Sequence, residues 1–295
     1  MNASANVNDR SGPGRLVAVW TLTHPGPSLV TALAYALCAL VAAHGRPDPG
    51  RLLITVIGMI ALQFAISALN DYCDREADKH SHKFKPLATG LLPPWVALAL
   101  TALFTALMIA CYAGYGLAPL LTAGAFLALG FVYDLGAKST PLGAVLMGVA
   151  FPLLPLLAWE LFAQVKPALY WTFPIGLALG ISISLADALP DAAADGAVGS
   201  RSLAQALGKH ALAACWLFLA AANALVIVLA LTRLTPVRPL ALLIAEPLAF
   251  GALGVSIALG RSHTRREAER LHLNFVLTVI VALITALGWL ISAIV

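Results

Sequence analysis

RLLITVIGMIALQFAISALNDYCDREAD, residues 51–78, is the stretch from which the rest of the chain can be read. Residues 52–69 are apolar or uncharged without interruption, close to the run of about 20 residues that a helix needs to cross the hydrocarbon of a bilayer. Four acids follow at once, Asp71, Asp74, Glu76 and Asp78. Like charges this close repel one another unless a cation sits among them. The stretch therefore predicts a membrane helix whose polar end is built to meet positive charge.

Composition generalises the first half of that reading. Hydrophobic residues make up 60% of the 295 and charged residues 11%, whereas a soluble domain is nearer half apolar and a quarter charged. The fold class is all-α: a polytopic membrane bundle, with the lipid bilayer as its solvent. A formal charge of +4 does not call for nucleic acid as a partner; where the basic residues lie matters more than their sum. Cys38, Cys73, Cys111 and Cys215 have no CxxC spacing and three lie in apolar runs, so they read as packing residues. The opening MNASANVNDRSGPGR has no apolar segment behind a basic start. It reads as a disordered cytoplasmic tail, residues 1–16, without a cleavable signal peptide, ahead of one transmembrane domain over 17–295.

Nine segments have the length of a span: 24–44, 52–72, 94–113, 117–135, 141–163, 168–188, 211–232, 239–260 and 273–294. Runs this long are helices; a membrane barrel would show alternating segments of about ten residues. With the N-terminus inside, 13 of the 18 Lys and Arg residues fall on the inner side and only Arg46, Arg51, Lys166, Arg233 and Arg238 on the outer. The positive-inside rule therefore expects a cytoplasmic N-terminus. Spans 2, 4 and 6 then all end on the cytoplasmic face. With them come three polar stretches: the acidic one above, FVYDLGAKST at 131–140, and DALPDAAADGAVGSRS at 187–202. The basic loop GRSHTRREAER, 260–270, ends span 8 on the same face.

Asp71, Asp74 and Asp78 stand at i, i+3, i+7, and Asp187, Asp191 and Asp195 at i, i+4, i+8. Both spacings align three carboxylates on one helical face. Asn70 adds an amide oxygen beside the first set. Mg²⁺, a hard cation that accepts carboxylates, waters and phosphate oxygens together, is the natural partner of two such sets across a cleft. Lys79, Lys85, Lys138 and Arg201 are placed to neutralise a bound diphosphate. The first acidic set alone has a lesser reading as a solvated, lysine-paired helix end, and a second set at a matching position weakens that reading further. Tyr133 alone would be an interfacial aromatic and Lys138 alone a topology marker. His80 and His82, at i, i+2, share no helix face and read as loop residues. Glu246, in mid-span, has no assigned role, and Glu160 lies near an outer end.

Asn70-Asp71-x-x-Asp74-x-x-x-Asp78 followed by Lys85-Pro86-Leu87-x-x-Gly90 resembles the first signature of the UbiA-type intramembrane prenyltransferases. Asp191-x-x-x-Asp195-x-x-x-Gly199-x-Arg201-Ser202 resembles their second, and Tyr133 with Lys138 the element between them. Lys85 stands where that family commonly has Arg. The resemblance implies nine helices around a central cavity, open to a cytoplasmic cap and laterally to lipid. It implies a multi-pass protein of the bacterial inner membrane, its active site facing the cytoplasm. The reaction implied is Mg²⁺-dependent transfer of an isoprenyl group from a prenyl diphosphate donor to a lipophilic acceptor such as a quinone-precursor ring. In that reading Asp71, Asp74, Asp78, Asp187, Asp191 and Asp195 hold metal. Asn70, Lys79, Lys85, Lys138 and Arg201 bind diphosphate, and Asp191, Tyr133 and Lys138 are catalytic. Tyr133, Tyr72 and Phe131 are the aromatic faces available to a carbocation. A membrane terpene cyclase on the same fold and, more distantly, a cation transporter remain as alternatives.

Overall fold

The computed structural model describes residues 14–80, 84–190, 192, 201–234, 237–261 and 266–293. Among the described residues every regular element is helical. Among the described residues nine segments are long and apolar enough to cross a membrane, and each overlaps one of the nine expected spans. The chain is a multi-pass integral membrane protein. Large side chains such as Leu53, Leu103, Leu121, Leu231 and Leu243 lie exposed on the sides of the bundle, a surface suited to lipid tails rather than water.

A short helix, α1 (Arg15–Thr21), precedes the spans. Arg15 and Leu16, expected at the end of the tail, are thus helical; residues 1–13 fall outside the described residues. Ala18 and Leu22 are buried against Leu87, Leu92 and Ala97, while Leu16 and Trp20 are exposed. The first span, α2 (Pro25–Ala42), starts behind His24, whose backbone is left-handed at φ 43°. Pro25 sits at the first helical position, where its missing N–H costs nothing.

The second span, α3 (Pro49–Asp74), starts from a true cap: the Asp48 carboxylate accepts the Arg51 N–H at 2.7 Å. It runs two residues past the expected end, so Asp71 and Asp74 occupy its final turn. It packs against α2, α4 (Pro94–Ala113) and α5 (Leu117–Asp134). The fifth span is two helices, α6 (Leu142–Ala150) and α7 (Leu153–Phe162), divided at Phe151–Pro152. Pro152 has no N–H to donate to the preceding turn, so the span breaks there. The sixth span ends in α8 (Thr172–Ala188), which packs on α6 so closely that a methyl group on Gly180 would strike the Gly148 backbone.

After α9 (Leu203–Leu207), capped by the reciprocal Ser202–Gln205 pair, three spans complete the bundle: α10 (Ala211–Thr232), α11 (Pro239–Arg261) and α12 (Glu267–Ala293). The last begins six residues before the expected position, with Glu267 and Glu269 favouring its N-terminal turn. α8 contacts both α10 and α12, and α2 contacts α7. The core between them holds Met59, Leu62, Tyr112, Trp159, Leu219 and Trp289.

Candidate active site

The final turn of α3 presents Asn70, Asp71 and Asp74 toward segments far away in the chain. Asp71 is 2% exposed. One of its oxygens meets Lys85 Nζ at 2.8 Å and His24 Nε2 at 3.0 Å. Lys85 also reaches Asp78, at 3.1 Å, so one ammonium draws the first and third carboxylates of the motif together. Burial by itself would lower the pKa of Lys85, but its bonds to Asp71 and Asp78 outweigh that and hold it above the ordinary lysine value.

Asp74 points to the other side. Both of its oxygens accept from Lys138 Nζ at 2.6 Å. Lys138 stands in a 3-10 turn, Ala137–Ser139, that follows α5. That turn lies tight against the start of α6: a Cβ on Gly143 would lie 2.9 Å from both Ala137 O and Lys138 Cα, and 3.3 Å from the Tyr133 ring. Glycine at 143 is what lets the Tyr–Lys segment sit there. The Asn70 amide donates to Asp134 Oδ1 at 2.8 Å, fixing which way it points.

The second motif meets the same turn through its far end, where Arg201 N donates to Ser139 O at 2.8 Å. Asp187 lies exposed on the last turn of α8. Asp191 and residues 193–200 of that motif, Asp195 among them, lie outside the described residues, as does His82 of the first motif's loop. Lys79 bonds to exposed Glu76 at 2.6 Å, away from the buried carboxylates, and lowers that acid's pKa. Tyr72 has one face covered by Arg75, whose guanidinium carbon stands 4.3 Å from the ring centroid. That cation makes Tyr72 a poor carbocation-facing aromatic, and Phe131 packs against the core.

A cavity of about 570 Å³ opens beside Asp78 and Lys85, between the α1–α2 turn and Phe84. Trp20, His24 and Pro25 form its other wall. Its size suits a small ligand, and it combines apolar walls with a few polar groups. Two of these site residues, His24 and Asp134, were not singled out from the sequence. Asp134 carried a usable signal, an acid at the end of an apolar span. His24 carried only a His-Pro step that marks a helix start.

A profile of the UbiA prenyltransferase family matches residues 28–280. The chain belongs to the UbiA prenyltransferase family. The fold of this UbiA-family chain is similar to that of a UbiA homolog from Archaeoglobus fulgidus bound to GPP and Mg²⁺. The TM-score is 0.72 at 16% identity, covering 92% of this chain and 99% of that one. It is likewise similar to a digeranylgeranylglyceryl phosphate synthase, with a TM-score of 0.74 at 16% identity over 95% and 99% of the two chains. Among curated proteins it is 30% identical over 147 residues to a 4-hydroxybenzoate octaprenyltransferase of Acinetobacter baylyi, covering 46% of this chain and 48% of the relative. A shorter match, 42% over 64 residues, joins it to the same enzyme of Ralstonia nicotianae, covering 21% and 22%. The matched part thus spans about half or less of these relatives' length.

The donor set of the UbiA-family site fits a hard cation. Asp71 Oδ2 and Asp134 Oδ2 are buried and accept no hydrogen bond among the described residues. An open carboxylate oxygen beside cationic partners is an acceptor waiting for charge. Among the described residues no three His, Cys, Asp or Glu side chains converge as a ready metal cluster. The carboxylates of the first motif are each drawn to a lysine instead.

Proposed function

We propose that the protein transfers an isoprenyl group from a prenyl diphosphate to a lipophilic aromatic acceptor of the quinone-precursor class, inside the membrane and with Mg²⁺. The observation that carries this is the pairing of Asp71 and Asp78 with Lys85, and of Asp74 with Lys138, at one end of a UbiA-family bundle. The site already holds three carboxylates against two ammonium groups, a surplus of negative charge that a divalent cation would offset. A diphosphate entering it would take the ammonium groups of Lys85 and Lys138 as partners and leave the carboxylates free for metal.

Asp71, Asp74 and Asp78 would hold Mg²⁺ on one side, and Asp187, Asp191 and Asp195 on the other. When bound, Mg²⁺ supplies positive charge to the leaving diphosphate. Lys85, Lys138 and Arg201 add to that charge, Lys79 would do so only on leaving Glu76, and the Asn70 amide, oriented by Asp134, completes the binding set. Cleavage of the allylic C–O bond leaves its electron pair on the diphosphate and a cation on the prenyl chain. Tyr133 faces that cation and apolar walls keep water from it. An acceptor ring carbon then forms the new C–C bond, and the ring proton leaves to a carboxylate, for which Asp191 is our candidate. The aromatic acceptor rests on the likeness to 4-hydroxybenzoate octaprenyltransferases.

The distribution of Lys and Arg supports a cytoplasmic N-terminus and a carboxylate end facing the cytoplasm of a bacterial inner membrane. Residues 17–295 would then be a single domain behind a tail.

The test is product mass spectrometry on purified protein given prenyl diphosphates of several lengths, with and without 4-hydroxybenzoate. We expect prenylated acceptor only when both substrates are present, loss on chelation, and recovery with Mg²⁺. A cyclic terpene formed from the donor alone would replace the transferase by a cyclase.

A further inference from the structure

The end of the bundle away from the carboxylates holds a second cavity, of about 400 Å³, between the α2–α3 turn and the end of α7. Arg51, on its wall, and Asp71, at the active site, lie on the same helix, twenty residues or ~30 Å apart. The cavity is therefore separate from the active site. Arg46, Arg51, Lys166 and His44 line it, and among its described lining residues Asp48 is the only acid. Only five Lys and Arg residues are expected at this end of the spans, and three of them gather here.

The chemistry of the lining is that of a receptor for an anion with an oily body. Asp48 is committed to capping α3 through the Arg51 N–H. The Arg51 guanidinium is held in place: one nitrogen donates to Leu161 O at 2.6 Å, and its carbon stands 5.7 Å from the Tyr115 ring and 6.0 Å from the Phe162 ring. A guanidinium carries five N–H donors, and this arrangement leaves most of them for a ligand. Arg46 is presented by the turn that ends α2, where His44 takes the left-handed position usually filled by glycine and Gly45 N bonds back to Leu40 O at 2.8 Å. Beside the cations the wall is apolar, with Phe162 and Ala163. A free inorganic anion would have no use for that wall. Leu53 and Ile54, at the same end of α3, are exposed apolar surface.

We infer that this cavity binds the phosphate headgroup of an anionic lipid, with Arg46, Arg51 and Lys166 contacting the phosphate and the Phe162–Ala163 wall the glycerol and upper acyl chain.

The experiment uses the full chain in detergent, stripped of lipid, and reads bound lipid by native mass spectrometry and the unfolding midpoint. Phosphatidylglycerol, phosphatidylcholine and inorganic phosphate are the three probes. We expect phosphatidylglycerol alone to be retained and to raise the midpoint. The Arg46→Glu, Lys166→Glu double variant should weaken that retention by about tenfold or more. A control pair at the same end but outside the cavity, Arg233→Glu with Arg238→Glu, should leave it unchanged. If the glutamate variant elutes as aggregate, Arg46→Gln with Lys166→Gln replaces it. Equal retention by the cavity variant and the wild type overturns the site. An equal response to phosphatidylcholine overturns the headgroup charge, and an equal response to inorganic phosphate overturns the lipid.

Discussion

Two sets of buried polar groups divide the molecule. In the first half the charged ones gather at helix ends: Asp71 and Asp134, with Lys85, Lys138 and His24 supplied from elsewhere in the chain. In the second half, Glu246 apart, they are uncharged residue types and lie within the helices. Trp216 Nε1 donates to Ser256 Oγ and Asn274 Oδ1, Ser182 donates to Cys215 O, and Thr285 donates to Asn223 Oδ1. The neutral set ties α8, α10, α11 and α12 to one another. Its groups stay where they are because hydrocarbon offers no alternative partner. The charged set leaves carboxylate oxygens open, and its ammonium partners are ones a phosphate would also take. Buried ion pairs are poor sources of net stability. Their presence at one end of the bundle therefore points to ligand binding, and the neutral ladder to architecture.

The sharpest way to break this contrast is Asp71→Asn. It should lower turnover on the order of a thousandfold, ~4 kcal/mol on the barrier. The unfolding midpoint should barely fall, because Lys85 keeps Asp78 as its charged partner. A collapse in stability together with activity would put Asp71 in the architectural class. Next comes Asp134→Ala, which frees the Asn70 amide. We expect kcat/KM for the prenyl diphosphate to drop about thirtyfold, ~2 kcal/mol, with most of the loss restored by Asp134→Asn, whose oxygen still accepts from Asn70. Steady-state kinetics on both variants decide it.

In the neutral set, Asn274→Leu should do the reverse. Losing the acceptor shared by Trp216 and Ser256 should cost about 1 kcal/mol of stability, read as a lower midpoint in detergent, with turnover within about twofold of wild type. The smallest effect is expected from Gly143→Ala. The added methyl group would crowd Ala137 O and Lys138 Cα and shift the lysine by a few tenths of an ångström. Turnover should fall by about threefold, the scale of ~0.6 kcal/mol. An unchanged rate would mean that Lys138 needs no fixed seat.

The nine spans were legible because a membrane helix must supply about 20 apolar residues from one continuous stretch. The requirement is local, so the sequence displays it whole. The spacing of Asp71, Asp74 and Asp78 was legible for the same reason, since a helical face is a local pattern. The break at Pro152 was visible as a residue but absorbed into a single span, because the apolar run continues through it. That the ends of spans 2, 4 and 6 meet was legible from their common face, but the individual pairings were not. His24 reaches Asp71 across 47 residues, and Asp134 and Lys138 reach Asn70 and Asp74 across 64. Nothing in the spacing of an α-helix carries information over such distances. Residue types along the chain thus determined that this protein crosses the membrane, and that acids end its second span. The packing of α2, α5 and the Lys85 segment around α3 decided which cation meets which carboxylate. Only packed helices bring distant side chains to within 3 Å, and only at that range does one charge select another as its partner.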